Sequence, residues 1–144
     1  MTHRLLPPQP LSVNHHLADF SCGESLLDEW LRRRAQSNQT LGATRTFVVT
    51  TVTGQVIAYY ALAAGAVSHQ DAPGKIRRNM PDPVPVLVLA RLAVDQGFQG
   101  QRIGGALLQD AVQRAISVAE NIGVRALLVH ALHEQAVQFY AHYS

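Results

Sequence analysis

An α+β fold, with a mixed central β-sheet flanked by helices, is what this 144-residue sequence predicts. Three patterns point to it. Arg45 to Thr53 and Val56 to Ala64 are runs rich in β-branched and aromatic residues, separated by Gly54-Gln55, and read as a hairpin. Pro85 to Val94 is nearly all apolar, as a strand buried on both faces requires. A long helical pattern and a second apolar strand, Val124 to Ala131, follow it. Such a strand–helix–strand crossover implies parallel pairing, with helices against a sheet.

The other elements follow in order. Residues 3–13 are broken by Pro7, Pro8 and Pro10 and read as a lead-in with a short edge strand at Leu11 to Val13. Ser21 and Glu24 have capping-box spacing, and Leu26, Leu27, Trp30 and Leu31 recur at helical intervals behind them. That helix runs on toward Thr40, with Gly42 as its stop. Residues 65–84, rich in Pro, Gly and charge, read as a loop with one helical turn at Lys75 to Asn79. Ile103, Leu107, Ala111, Ala115, Val118 and Ile122 line one face of the long helix, and Gly123 is its C-terminal stop. His133 to His142 reads as a last helix.

Length and composition suit one domain over 1–144, with 47% hydrophobic and 15% charged residues supplying a core. No run of about 18 apolar residues and no signal-peptide core is present, and Cys22 is the sole cysteine. A cytoplasmic protein without a membrane partner is the expectation. The net charge of +2 names no partner, although eleven of the twelve basic residues are arginine.

Gln99-Gly100-Gln101-Arg102-Ile103-Gly104-Gly105-Ala106 joins the buried strand to the long helix. The first amides of a helix lack internal partners and, with the helix dipole, form an anion site suited to a pyrophosphate. Taken alone the loop is equally a tight turn. The G-x-G-x-x-G spacing and the Gly-Lys-Ser/Thr ending of other phosphate loops are absent.

In context, Leu89 to Asp95, then Gln99 to Ala106, then Leu107-Leu108 resembles the acetyl-CoA motif of GNAT acetyltransferases. Within that family it is similar to the acetyltransferase toxins of bacterial toxin–antitoxin pairs. The marks are Asp19 to Gly23, Ala58 to Leu62, Arg91 to Asp95, and Val129 to Leu132 ahead of Phe139-Tyr140. The resemblance implies acetyl-CoA as co-substrate, held by backbone of Leu92, Ala93 and Val94 and by the loop residues Gln99, Gly100, Gln101, Arg102, Ile103, Gly104 and Gly105. It implies Tyr140 as proton donor to the departing sulfur; spacing alone reads Tyr140 as a core aromatic. Three departures stand out. Arg102 occupies the first glycine position of the motif, Ser144 stands where the family has Gly, and the final strand pair of the family is expected to be absent.

No general base is evident: His133 and Glu134 read as helix-start residues and His130 as a core histidine. An α-amine, with a pKa near 8, needs less help than a lysine near 10.4. That agrees with the toxin branch, whose substrate is the α-amine of aminoacyl-tRNA, so that acetylation blocks translation. Arg32, Arg33, Arg34, Lys75, Arg77 and Arg78 are the candidate RNA contacts, and equally a solvated face. A ribbon-helix-helix antitoxin and a homodimer are implied by resemblance alone. Other readings are a GNAT enzyme for a small amine or protein N-terminus, and a defective domain that binds CoA or antitoxin. His15-His16 and His130-x-x-His133 lack the supporting ligands of a zinc site, and no metal is expected.

Overall fold

The computed structural model describes residues 4–130 and 137–141. Six strands form one sheet in chain order: β1 (Gln9–Pro10), β2 (Arg45–Thr50), β3 (Val56–Val67), β4 (Val84–Val94), β5 (Ala126–His130) and β6 (Val137–Ala141). All neighbours are antiparallel except β4 and β5, which the long crossover helix makes parallel. That helix, α4 (Ile103–Ile122), covers one face; the other α-helices among the described residues are α1 (Ser25–Arg33), α2 (Ala35–Thr40) and the short α3 (Gly74–Arg77).

Strand alternation sorts the core. Ala58, Tyr60 and Leu62 of β3 join Leu89 of β4 and Leu107, Ala111 and Ala115 of α4 on one face. Tyr59 and Ala61 point the other way, to Phe20, Trp30 and Leu31 under α1. The ring of Tyr59 stacks on Trp30 with centroids 6.0 Å apart. β4 supplies both faces, which is why its sequence is apolar without alternation.

Several local expectations are corrected. Ser21 is not the cap of α1; the N-cap is Glu24, without a side-chain cap bond, because Ser21 is held in a loop described below. The helical pattern toward Thr40 breaks at Arg34, which takes φ −120° between α1 and α2. The edge strand lies at Gln9–Pro10, because Leu11 turns its side chain into the core at 3% exposure. Residues 137–141, expected to be helical, form β6. Val137, Phe139 and Tyr140 are β-prone, and the edge of β5 satisfies their backbone groups. The expected start of that helix, with His133 and Glu134, lies outside the described residues, as does Ser144. Among the described residues no helix is long and apolar enough to cross a membrane, and no group of three or more His, Cys, Asp or Glu side chains is arranged to hold a metal.

Candidate functional site: a cleft where two strands part

The β4–β5 ladder holds three pairs and ends at Leu89 opposite Val129. One residue later the β3–β4 register slips: Ala61 faces Arg91 but Leu62 faces Leu89, so Ala90 is an extra residue in a bulge. Parting and bulge coincide. Beyond them β4 continues to Val94 with an edge of roughly 16 Å open toward β5.

The alternation of antiparallel hydrogen bonds decides which groups line that edge. Asp95 N–H donates to the Ile57 carbonyl at 2.8 Å, which makes Ala58–Val94 a non-hydrogen-bonded pair. Tyr59–Ala93 and Ala61–Arg91 are then the bonded pairs, and Leu92 and Val94 turn their backbone groups to the open side. Gln99 Nε2 donates to the outward Val94 carbonyl at 2.9 Å. Of the three residues expected to offer backbone here, Leu92 and Val94 do so; Ala93 is bonded back to Tyr59 and is 5% exposed.

The start of α4 faces the same opening. Ala106 N–H donates to the Arg102 carbonyl at 3.2 Å, and no side chain caps the helix. The amides of Ile103, Gly104 and Gly105 therefore form its bare first turn. A Cβ on Gly104 meets Leu92 and Val94 at 3.9 Å, whereas a Cβ on Gly105 or Gly100 meets nothing within 4 Å. A side chain at Gly105 enters open space at the wall of the cleft described below. Arg102 precedes this turn at φ 64°, ψ 18°, as does Gly100 at φ 80°. The left-handed conformation at Arg102 costs roughly 1 kcal/mol relative to glycine. Arg102 itself is exposed.

Gln99, Asp95 and the segment before α1 form one clasp. Gln99 Nε2 also donates to the Cys22 carbonyl at 2.9 Å. Asp95 accepts from the N–H of Ser21 at 3.0 Å and of Gly97 at 2.9 Å, and Gln96 N–H donates to the Ser21 carbonyl at 2.8 Å. The buried Asp28 accepts from Cys22 N–H at 2.9 Å. Burial and the Asp28 contact push the Cys22 thiol up to about 11. The side chain of Gln99 thus anchors the loop.

A cleft of about 940 Å³ passes through the parting, from Gly104, Gly105 and Leu108 of α4 to Trp30 and Arg33 of α1 and Arg34 just after it. Arg91, on its wall, lies with its guanidinium 4.3 Å from the Trp30 ring centroid. Glu29 is the one carboxylate among the described lining residues. Arg32 instead donates to the Phe20 carbonyl at 2.7 Å. Lys75, Arg77 and Arg78 sit beside the first residues of β4, at the far end from this opening: Arg125 holds both the Lys75 and Pro85 carbonyls, and Arg77 donates to the His69 carbonyl at 2.8 Å. The backbone of Tyr140 lies opposite Leu127, which faces Leu87 at the closed end of the β4–β5 ladder.

Bare helix-start amides beside a bulged strand with an open edge are an arrangement suited to an enzyme that transfers a group from an anionic donor. The chain belongs to the GNAT acetyltransferase family: residues 12–143 match it. It is 52% identical over 136 residues to a protein of Mycobacterium tuberculosis named tRNA-acetylating toxin, covering 94% of this chain and 81% of the relative. A crystal structure of AtaTR bound with AcCoA superposes with a TM-score of 0.78 at 28% identity, covering 90% of this chain and 78% of that one. The fold is also that of AtaT complexed with acetyl-methionyl-tRNAfMet: TM-score 0.85, 22% identity, 96% of this chain and 95% of that one.

Proposed function

We propose that this protein transfers an acetyl group from acetyl-CoA to the α-amine of an aminoacyl-tRNA, which blocks its use in translation. One observation carries the reading: the open edge of β4 at Leu92 and Val94 stands beside the bare first turn of α4, and Leu92, Gly104 and Gly105 line one cleft. The relative named tRNA-acetylating toxin supports the substrate class. A homodimer and a ribbon-helix-helix antitoxin are part of the proposal through the resemblance to the toxin branch alone.

Acetyl-CoA, when bound, supplies the thioester carbonyl that the amine attacks. The amides of Ile103, Gly104 and Gly105 hold its diphosphate, with the Arg102 guanidinium as a further phosphate contact. Leu92 and Val94 offer N–H groups to the pantetheine arm and to the carbonyl oxygen, where fixed donors stabilise charge that grows in the transition state. Tyr140 is the residue the family resemblance assigns to protonating the sulfur. Arg33 and Arg34 give the acceptor side positive charge for RNA phosphates. An α-amine already deprotonated in good part near pH 8 suits a cleft whose described lining has only Glu29 as a carboxylate.

The test is incubation with acetyl-CoA and a mixture of charged tRNAs, followed by intact-mass analysis. Acetyl addition to an aminoacyl ester, abolished by deacylating the tRNA first, is the expected result. Binding of CoA without transfer to any charged tRNA overturns the reading.

A further inference from the structure

We infer that the hydrogen bond from Tyr60 to Asp110 is a latch that holds the two halves of the acetyl-CoA site in register. The inference rests on the function just proposed and assigns it two positioning residues outside the cleft. Tyr60, on β3, is the direct partner of Leu92 on β4, and both side chains lie on the α4 face. Its hydroxyl donates to the carboxylate of Asp110, two turns into α4 from the bare amides. One bond therefore joins the strand pair that presents the Leu92 amide to the helix that presents the phosphate amides.

The same carboxylate oxygen, Oδ2, takes a second bond from within α4. Arg114 Nε donates to Asp110 Oδ2 at 2.9 Å and Arg114 also donates to the Pro8 carbonyl at 3.3 Å. The Arg114 guanidinium lies 4.1 Å from the Phe47 ring centroid, and that ring stacks on Tyr60 at 5.1 Å. Burial and the Asp110 contact push the Tyr60 hydroxyl well above the usual phenol range, so it stays a donor.

The physical need is directional. The packing around this bond is apolar, with Leu107, Ala111 and Ala115 of α4 against Leu62 and Leu89 of the sheet and Gly104 close to Leu92 and Val94. Apolar burial is non-directional and permits small slides of a helix along a sheet. A charge-assisted hydrogen bond is directional and does not. A donor held at its diphosphate by α4 and at its thioester by β4 loses alignment if the two move apart, and a misplacement near 1 Å costs up to about a hundredfold in rate.

The experiment compares Tyr60→Phe, Asp110→Leu, Asp110→Asn and the double variant Tyr60→Phe/Asp110→Leu. Thermal midpoint, CoA affinity and kcat are measured for each. A latch predicts that Tyr60→Phe and Asp110→Leu lower kcat by about tenfold while the Kd of CoA stays within about twofold. The double variant is no worse than either single one, as expected for residues acting as a unit. Asp110→Asn, which keeps an oxygen acceptor for Tyr60, restores most of the rate. An unchanged kcat in Tyr60→Phe, additive losses, or losses of kcat and CoA affinity that track the thermal midpoint overturn the latch. If the unsubstituted protein binds CoA but acetylates no charged tRNA, the function reading fails, and the latch is judged separately on acetyl-CoA binding. Chemical-shift changes at Leu92 and Val94 that shrink in Tyr60→Phe then support it, and changes of undiminished size overturn it.

Discussion

The carboxylate of Asp95 accepts the backbone N–H of Ser21 at 3.0 Å, bridging 74 positions of sequence. It ties the end of β4 to the loop before α1, so both walls of the cleft share one fastening. The same carboxylate also accepts from Gly97 N–H. Hydrogen bonds to a charged group contribute about 1.5–3 kcal/mol each when a partner is lost. Asp95→Ala is therefore expected to lower unfolding free energy by about 2 kcal/mol, measured by urea denaturation. A loss below about 0.5 kcal/mol contradicts the clasp.

Gly105→Leu tests the open space in front of α4 without touching the core. Nothing stands within 4 Å of a Cβ at Gly105. The variant is expected to keep or raise its thermal midpoint, since glycine is the poorer helix former by about 1 kcal/mol. CoA affinity is expected to fall at least about tenfold, equivalent to 1.4 kcal/mol. Calorimetry with CoA checks it, and unaltered affinity places the ligand elsewhere.

Arg102→Gly separates strain from function. Relief of the left-handed conformation is expected to stabilise the fold by about 1 kcal/mol. Loss of the guanidinium is expected to weaken CoA binding, increasingly so at low salt, where an exposed charge counts most. Denaturation and salt-dependent calorimetry read the two effects independently. A variant that is no more stable than its parent contradicts the strain assignment.

Cys22 supplies a pH test. Its thiol is raised to about 11 in the folded protein, so the folded state holds its proton more tightly than the unfolded state. Between the ordinary thiol range near 8.5 and about 11 the folded state binds more protons, and the contribution of this group to stability falls as pH rises through that window. Iodoacetamide is expected to alkylate Cys22 far more slowly at pH 8 than in urea-unfolded protein. Equal rates contradict the burial and Asp28 contact that raise it.

Elements with strong periodicity were legible in the sequence: α4 runs Ile103–Ile122 as its apolar spacing predicts, with Gly123 at φ 75° as its stop. The hairpin and the buried strand also lie where β-branched runs put them. Residues 137–141 misled because Val137, Phe139 and Tyr140 fit either period, and the open edge of β5 decided. Within the site, the loop and β4 were legible as a motif. That Ala93 turns inward while Leu92 turns outward was not, because it depends on hydrogen-bond phase with β3. Gln99 was expected at the ligand, and its side chain holds the Cys22 carbonyl, a contact across 77 positions that no local pattern encodes. Arg91 over Trp30, and Tyr60 on Asp110, are likewise products of tertiary packing.

The central claim is that the amides at the start of α4 and on the open edge of β4 hold the donor together. Amide ¹⁵N chemical-shift mapping tests it most directly. Addition of CoA is expected to shift Ile103, Gly104 and Gly105, and acetyl-CoA to shift Leu92 and Val94 as well. Saturating ligand that leaves those five amides in place while moving others contradicts it.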